Sequence, residues 1–244
     1  MRRFNALLAP LHLVQGILML ALSSAFALPI TTSFLSEDPA QLAGPPAPDT
    51  IVDLRIGPLV AVFLLLSAVA HATLALPRVH RWYEANLGRG INIARWVEYS
   101  LSSSVMIVVI ALLVGIFDLA ALIALFAVNA AMILFGLMME LHNQRTERTS
   151  WVAFWLGTIM GAVPWIAIGI YLIGAGVNGD VPGFVYGIYG SIFVFFNVFA
   201  INMVLQYRKV GRWRDYLYGE RAYMLLSLFA KSALAWQVFG GTLR

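Results

Sequence analysis

The chain has 244 residues, of which 61% are hydrophobic and only 11% charged, and its mean hydropathy is +0.82. Soluble domains carry about 25% charged residues, so the composition excludes a soluble globular protein and points to a multi-pass membrane protein. The formal charge of +4 comes from loop arginines, not from a nucleic-acid-binding patch, and the lack of cysteine excludes disulfides, thiolate catalysis and Cys-ligated metals.

A membrane-spanning helix needs about 20 apolar residues. Stretches 4–28, 55–77, 91–116, 119–140, 151–174, 182–206 and 220–241 qualify, and they predict one seven-helix domain. The first begins with Met1–Arg3 and contains Ala25-Phe26-Ala27, as a signal peptide would, but His12 and Gln15 interrupt its long apolar run. A retained span is therefore expected. Segment 29–54, with PAQLAGPPAPDT, is read as a loop. Its flanks Ile30–Leu35 and Thr50–Leu54 are candidates for a short β-hairpin capping the bundle. Loop 117–119 is so short that spans 3 and 4 must be antiparallel neighbours, and 175–182, GAGVNGDV, is read as a glycine-rich turn. No internal repeat is evident, which argues against an inverted-repeat transporter.

The basic residues give an orientation. Arg2, Arg3, Arg78, Arg81, Arg89, Arg95, Arg145, Arg148, Arg208, Lys209, Arg212, Arg214 and Arg221 lie on one side, 13 of the 16. Arg55 and Arg244 lie on the other, which also carries Glu37, Asp38, Asp49, Asp53, Asp118 and Asp180. Positive residues stay cytoplasmic, so the N-terminus is expected inside and the C-terminus outside a cell membrane.

The remaining basic residue, Lys231, sits within LLSLFAKSALAWQVFGG, the middle of span 7. A charge at mid-bilayer depth costs about 2.5–3.5 kcal/mol even on the lenient insertion scale, so Lys231 needs a counter-charge, a lost proton or a covalent partner. Glu98, in ARWVEYSLSSS of span 3, is read as the one acid clearly inside a span. It lies on the order of 10 Å in from Ile91, and Lys231 on the order of 16 Å in from Glu220, a difference that a lysine stem bridges. The two are expected to pair, either as a structural tie between spans 3 and 7 or as a functional site. His12, Gln15 and His71 share this depth, Ser102 shares the face of Glu98, and Ser227 lies one turn before Lys231. They outline a polar pocket in the inner half, though a membrane histidine is also a common packing residue. His80 and His142 are read as surface residues. Spans 5 and 6 are dense in aromatics, among them Trp151, Phe154, Trp155, Trp165, Tyr186, Tyr189, Phe193, Phe195, Phe196 and Phe199. They suit a slot for a long flat polyene or, more plainly, lipid-facing and core positions. Among the residue patterns there is no HExxH, Gly-rich phosphate loop, GxSxG or carboxylate cluster, so neither an enzyme nor a metal site is expected.

Seven spans, a lysine in span 7 and an acid in span 3 resemble the layout of microbial rhodopsins. Arg95-Trp96-Val97-Glu98-Tyr99 resembles their Arg-aromatic-x-acid-aromatic stretch. With the inverted orientation, RWVEYS and AKSALAWQVFGGTL together resemble heliorhodopsins over essentially the whole chain. The resemblance implies an all-α, rhodopsin-like seven-helix membrane bundle with a hairpin-forming first outer loop and all-trans retinal bound as a protonated Schiff base. Lys231 matches the attachment lysine, Glu98 the counterion, and His12, Gln15 and His71 the inner polar network. Tyr99, Ser102, Ser103, Met132, Phe196, Ser227 and Trp236 match retinal neighbours. Ser227 and Val109 stand where pumps commonly keep carboxyl groups.

The resemblance implies a light sensor with a slow signalling photocycle, proton movement to the inner pocket and little or no ion pumping. A light-driven or light-gated ion transporter and a light-regulated scaffold for a cytoplasmic enzyme remain the alternatives. A homodimer in lipid and a cytoplasmic signalling partner are further expectations. Gly157, Gly161, Gly187 and Gly190 are expected at close helix contacts.

Overall fold

A computed structural model describes residues 1–35, 38, 40, 44–179 and 181–244. Glu37 and Asp180, read above as outer acids, lie outside the described residues. Seven helices among those described are long and apolar enough to cross a membrane. They are α1 (Arg2–Leu22), α2 (Ile56–Ala75), α4 (Ile93–Leu113), α5 (Leu119–His142), α6 (Val152–Asn178), α7 (Gly183–Tyr207) and α8 (Tyr216–Val238). The last continues through a π-helical turn, Phe239–Leu243. The all-α seven-span reading is correct, and the chain is a multi-pass membrane protein.

Side-chain caps set several boundaries. Asn92 accepts from Arg95 N at 3.1 Å to open α4, Asp118 from Ala121 N at 2.8 Å to open α5, and Asp215 from Leu217 N at 2.9 Å to open α8. The α4–α5 neighbours turn at Gly115, whose φ of +98° a side chain would resist.

Three readings are corrected. Span 1 ends at Leu22, not 28, because residues 27–32 pair as a strand. The glycine-rich 175–182 is not all turn, since α6 runs to Asn178, and Gly176 within it lets the helix pack close against the Tyr186 hydroxyl of α7. Residues 77–88, read as a loop, form the helix α3 (Pro77–Gly88). Pro77 fits its first turn, where the missing N–H goes unused. His80, Tyr83 and Leu87 form a buried stripe against Leu74, Ala94 and Leu217, while Arg78, Arg81 and Glu84 face out. Arg78, Arg81, Glu84 and Asn86 hid this narrow apolar face. His80 is thus buried, not a surface residue, and its ring bridges Leu74 O at 3.1 Å and Glu84 at 3.0 Å. His142 is exposed as expected. Burial, with the Glu220 carboxylate nearby, pushes the Tyr83 phenol up to about 12.

At the opposite end, β1 (Ala27–Thr32) and β2 (Asp49–Arg55) form an antiparallel hairpin, paired from Ala27↔Arg55 to Ile30↔Val52 and then shifted by a bulge to Thr31↔Thr50. Thr31 N also donates to Phe117 O at 2.9 Å, which ties the hairpin to the α4–α5 turn. The expected hairpin is therefore present, begun three residues earlier than Ile30. Ser24 N donates to Leu243 O at 2.7 Å and holds the end of α1 to the end of the last helix. Beneath the hairpin a continuous apolar core includes Met19, Ile56, Val60, Val109, Ile110, Ile188 and Leu234.

Candidate functional site

Lys231, 3% exposed, reaches from α8 to Glu98 on α4, with Nζ 2.7 Å from Oε1. The same Nζ donates to Ser67 Oγ of α2 at 2.6 Å, and Ser67 Oγ lies 2.7 Å from Glu98 Oε1. Three helices therefore meet at one ammonium, one carboxylate and one hydroxyl. The amine also lies 5.2 Å from the centre of the Tyr99 ring.

The polar level below this pair contains the two histidines. His12 and His71 stack with ring centres 5.6 Å apart and planes within 9°. His71 Nδ1 lies 2.7 Å from Asn5 Oδ1, and Asn5 Nδ2 donates to Met1 O at 3.2 Å, which turns the amide oxygen toward the ring. His71 Nδ1 therefore carries the hydrogen in this contact, and in the neutral ring Nε2 keeps a lone pair. Among the described residues, neither ring nitrogen of His12 has a hydrogen-bond partner, although the residue is fully buried.

Beside Lys231 a cavity of about 130 Å³ opens between α4, α5, α6, α7 and α8. Tyr99, Ser102, Ser103, Met132, Phe196 and Ser227 all line it, as do Trp96, Phe154, Phe199 and Tyr223. Among the described residues Ser102 Oγ and Ser227 Oγ have no hydrogen-bond partner. Trp165 supports this wall from behind, edge-on to Phe196 at 5.4 Å. Gly157 and Gly161 shape it as expected: a methyl on Gly161 would meet Met132 Sδ at 2.5 Å, and one on Gly157 would meet Phe135 at 3.1 Å. Gly187 and Gly190 make no such approach, since nothing lies within 4 Å of an added methyl on either, so that expectation is corrected. A second correction concerns Trp236, which does not line the cavity. It is 38% exposed on the outer face of α8, and its indole donates to Gln15 Oε1 at 3.1 Å. Gln15 is thus spent on this indole and on Leu11 O, away from the histidine pair. One position along a helix rotates the side chain by about 100°, enough to turn Trp236 from cavity to lipid.

A second buried charge cluster sits at the end of the bundle that carries α3. Arg95 Nη2 lies 2.6 Å from Glu140 of α5 and 3.1 Å from Glu220 of α8. Glu140 also accepts from Asn92 N at 2.8 Å, Trp96 Nε1 at 2.7 Å and Tyr216 Oη at 3.3 Å. Asn92 Nδ2 donates to Glu220 at 2.5 Å. The guanidinium carbon lies 3.8 Å from the Tyr223 ring centre and 4.1 Å from that of Trp96, both cavity-wall residues. The reading of Glu98 as the one acid inside the bundle is corrected, because Glu140 and Glu220 are 2% and 0% exposed. Arg95, in the first turn of α4, is likewise buried, 5% exposed.

The sequence profile of the heliorhodopsin family matches residues 1–243. The chain belongs to the heliorhodopsin family. A search of curated proteins finds no match. Among solved structures, a light-driven proton pump from Leptosphaeria maculans is similar in fold, with a TM-score of 0.68 at 13% identity over 98% of this chain and 93% of that one. Membership makes this a retinal-binding, light-sensing rhodopsin.

The residues present fit the chromophore of a heliorhodopsin. A buried primary amine, a carboxylate 2.7 Å from it and an adjoining cavity walled by aromatic and methionine side chains are what an amine-linked polyene requires. Sequence reasoning missed Ser67. Its signal was its place four residues before His71 on one face of α2, a spacing easily lost because serine is common in membrane helices. It also missed the Arg95 cluster, because charges within a turn of a helix end read as interfacial.

Proposed function

We propose that this heliorhodopsin is a light sensor that holds all-trans retinal at Lys231 as a protonated Schiff base, with Glu98 as its counterion. The observation that carries the reading is the buried Lys231–Glu98 contact of 2.7 Å at the edge of the cavity. Retinal, when bound, supplies visible absorption and light-driven isomerisation of a double bond. The protein does the rest. Glu98 holds positive charge at Lys231 Nζ in surroundings that would otherwise expel it. Ser67 donates to Glu98 or to Phe63 O and accepts from Lys231, which fixes the carboxylate's aim. Tyr99 Oη is anchored on Tyr223 O at 2.8 Å and so holds its ring beside the amine. Phe154, Phe196 and Phe199 exclude water from the slot. The lone pair of His71 Nε2, one turn from Ser67, offers a proton a resting place on the side of the bundle that carries the arginines.

That side is assigned to the cytoplasm by the distribution of basic residues, with the N-terminus inside and the C-terminus outside. Val109 is fully buried in the apolar core and Ser227 faces the cavity, so neither position supplies a carboxyl for vectorial transfer. Little or no net ion transport follows, and a slow conformational signal to a cytoplasmic partner, from a homodimer in the cell membrane, is the function assigned.

The test is an absorption spectrum after adding all-trans retinal to membranes containing the protein. Wild type forms a visible band, Lys231→Ala forms none, and Glu98→Gln moves the band. A covalent pigment in Lys231→Ala overturns the attachment site, and an unmoved band in Glu98→Gln overturns the counterion. Sustained light-driven currents would replace the sensor by a transporter.

A further inference from the structure

A polar concavity of about 400 Å³ lies at the basic end of the bundle, between the 143–149 loop and the 206–216 turn. Its two walls are built, not incidental. Asn143 organises the first: its Nδ2 donates to Met139 O and Ser150 O, and its Oδ1 accepts from Thr146 Oγ1 and Ser150 N, all within 3.1 Å. The second is held by Gln206 Nε2 on Tyr216 O at 3.1 Å, Trp213 Nε1 on Asn202 Oδ1 at 2.6 Å, and Arg214 Nε on Lys209 O at 3.4 Å.

Lys209 is the unexpected residue. It follows the C-cap of α7, two residues past Tyr207, with a φ of +51°, the one non-glycine residue with positive φ among those described. Val210 N reaches back to Leu205 O at 3.1 Å, which makes this the left-handed C-terminal turn that normally takes glycine. A lysine there is strained, and strain kept at one position points to a use for its side chain. Lys209 and Arg214 both line the concavity, against one acid, Glu147. The two flanking segments, 142–151 and 207–216, together carry Arg145, Arg148, Arg208, Lys209, Arg212 and Arg214 against only Glu147 and Asp215. Such a field concentrates anions. The volume falls in the usual range for a small-molecule site.

We propose that this concavity binds a small phosphate-bearing ligand, its phosphate held by Lys209 and Arg214, with the hydroxyls and amides of both walls satisfying the remaining polar groups. Tyr216 is shared between this site and Glu140, whose Arg95 partner touches two walls of the retinal cavity. The site is therefore placed where a light signal arrives, but its binding stands without retinal.

The test uses dark, full-length protein in phosphatidylcholine nanodiscs, titrated with AMP and with inorganic phosphate by calorimetry. Saturable binding that weakens with salt is expected, and Lys209→Gly and Arg214→Gln each reduce affinity about tenfold or more, the loss of one charge-assisted contact. Lys209→Gly also raises the melting temperature, because glycine relaxes the left-handed turn, so lost binding is not lost folding. The same variant keeps the visible band of the pigment, which separates this site from the retinal reading. If neither probe binds, but in nanodiscs of mixed phosphatidylcholine and phosphatidylglycerol the phosphatidylglycerol is enriched around wild type and not around Lys209→Gly, the phosphate is that of a lipid headgroup. No binding of either probe and no such enrichment overturns the site, as does binding that both substitutions leave unchanged.

Discussion

Among the described residues, the bundle contains two buried charge clusters built on opposite principles. At mid-depth, Lys231 faces one carboxylate and one hydroxyl, each contact made through a single atom. At the basic end, Arg95 faces two carboxylates, and Glu140 alone collects donors from Asn92, Trp96 and Tyr216 as well. The sparse cluster borders a cavity and leaves a nucleophilic amine within reach of it. The crowded one is closed off and joins α4, α5 and α8. Burial of charge therefore signals chemistry in one place and a clamp in the other. The difference lies in how many donors converge on the carboxylate: four residues on Glu140, two on Glu98.

Removing each cation breaks this comparison most sharply. Arg95→Ala orphans two buried carboxylates and is expected to cost about 3–5 kcal/mol, read as a lower melting temperature in detergent. Lys231→Ala leaves one carboxylate that keeps Ser67, so in pigment-free protein its loss is the smaller of the two. Equal losses would mean that both clusters are structural. A middle-sized effect is expected from Gly136→Ala. The added methyl would run into the Trp96 ring, and such overpacking costs about 1–3 kcal/mol. Because Trp96 lines the cavity and touches Arg95, the visible band should move as stability falls. A band that stays in place would separate the clamp from the chromophore. The smallest effect belongs to Ser67→Ala, about 1 kcal/mol, with a slight band shift and an intact pigment. Loss of pigment in that variant would make Ser67 as essential as Glu98.

The sequence was legible where a residue type was rare. Seven apolar stretches gave seven helices, and a lone mid-span lysine with a mid-span glutamate gave the contact at 2.7 Å. Legibility failed where the decisive quantity was rotation or context. Trp236 is only five residues from Lys231, yet it faces Gln15 and the bundle surface. The face of α3 rests on three residues, His80, Tyr83 and Leu87, among arginines that suggested a loop. Ser67 differs from other helix serines only in what lies opposite it. Arg95, Glu140 and Glu220 are ordinary helix-end charges until three helices converge on them.

The Arg95 guanidinium, resting on Trp96 and Tyr223, has an electrical consequence. Those two rings are walls of the cavity, so any reshaping of the cavity displaces a formal charge fixed inside a weakly polarisable medium. A moved charge registers at electrodes across the membrane as a capacitive transient that reverses when the rings return. In this protein a flash-induced current that integrates to zero would report charge displaced within the bundle, that of Arg95 included, not the passage of an ion.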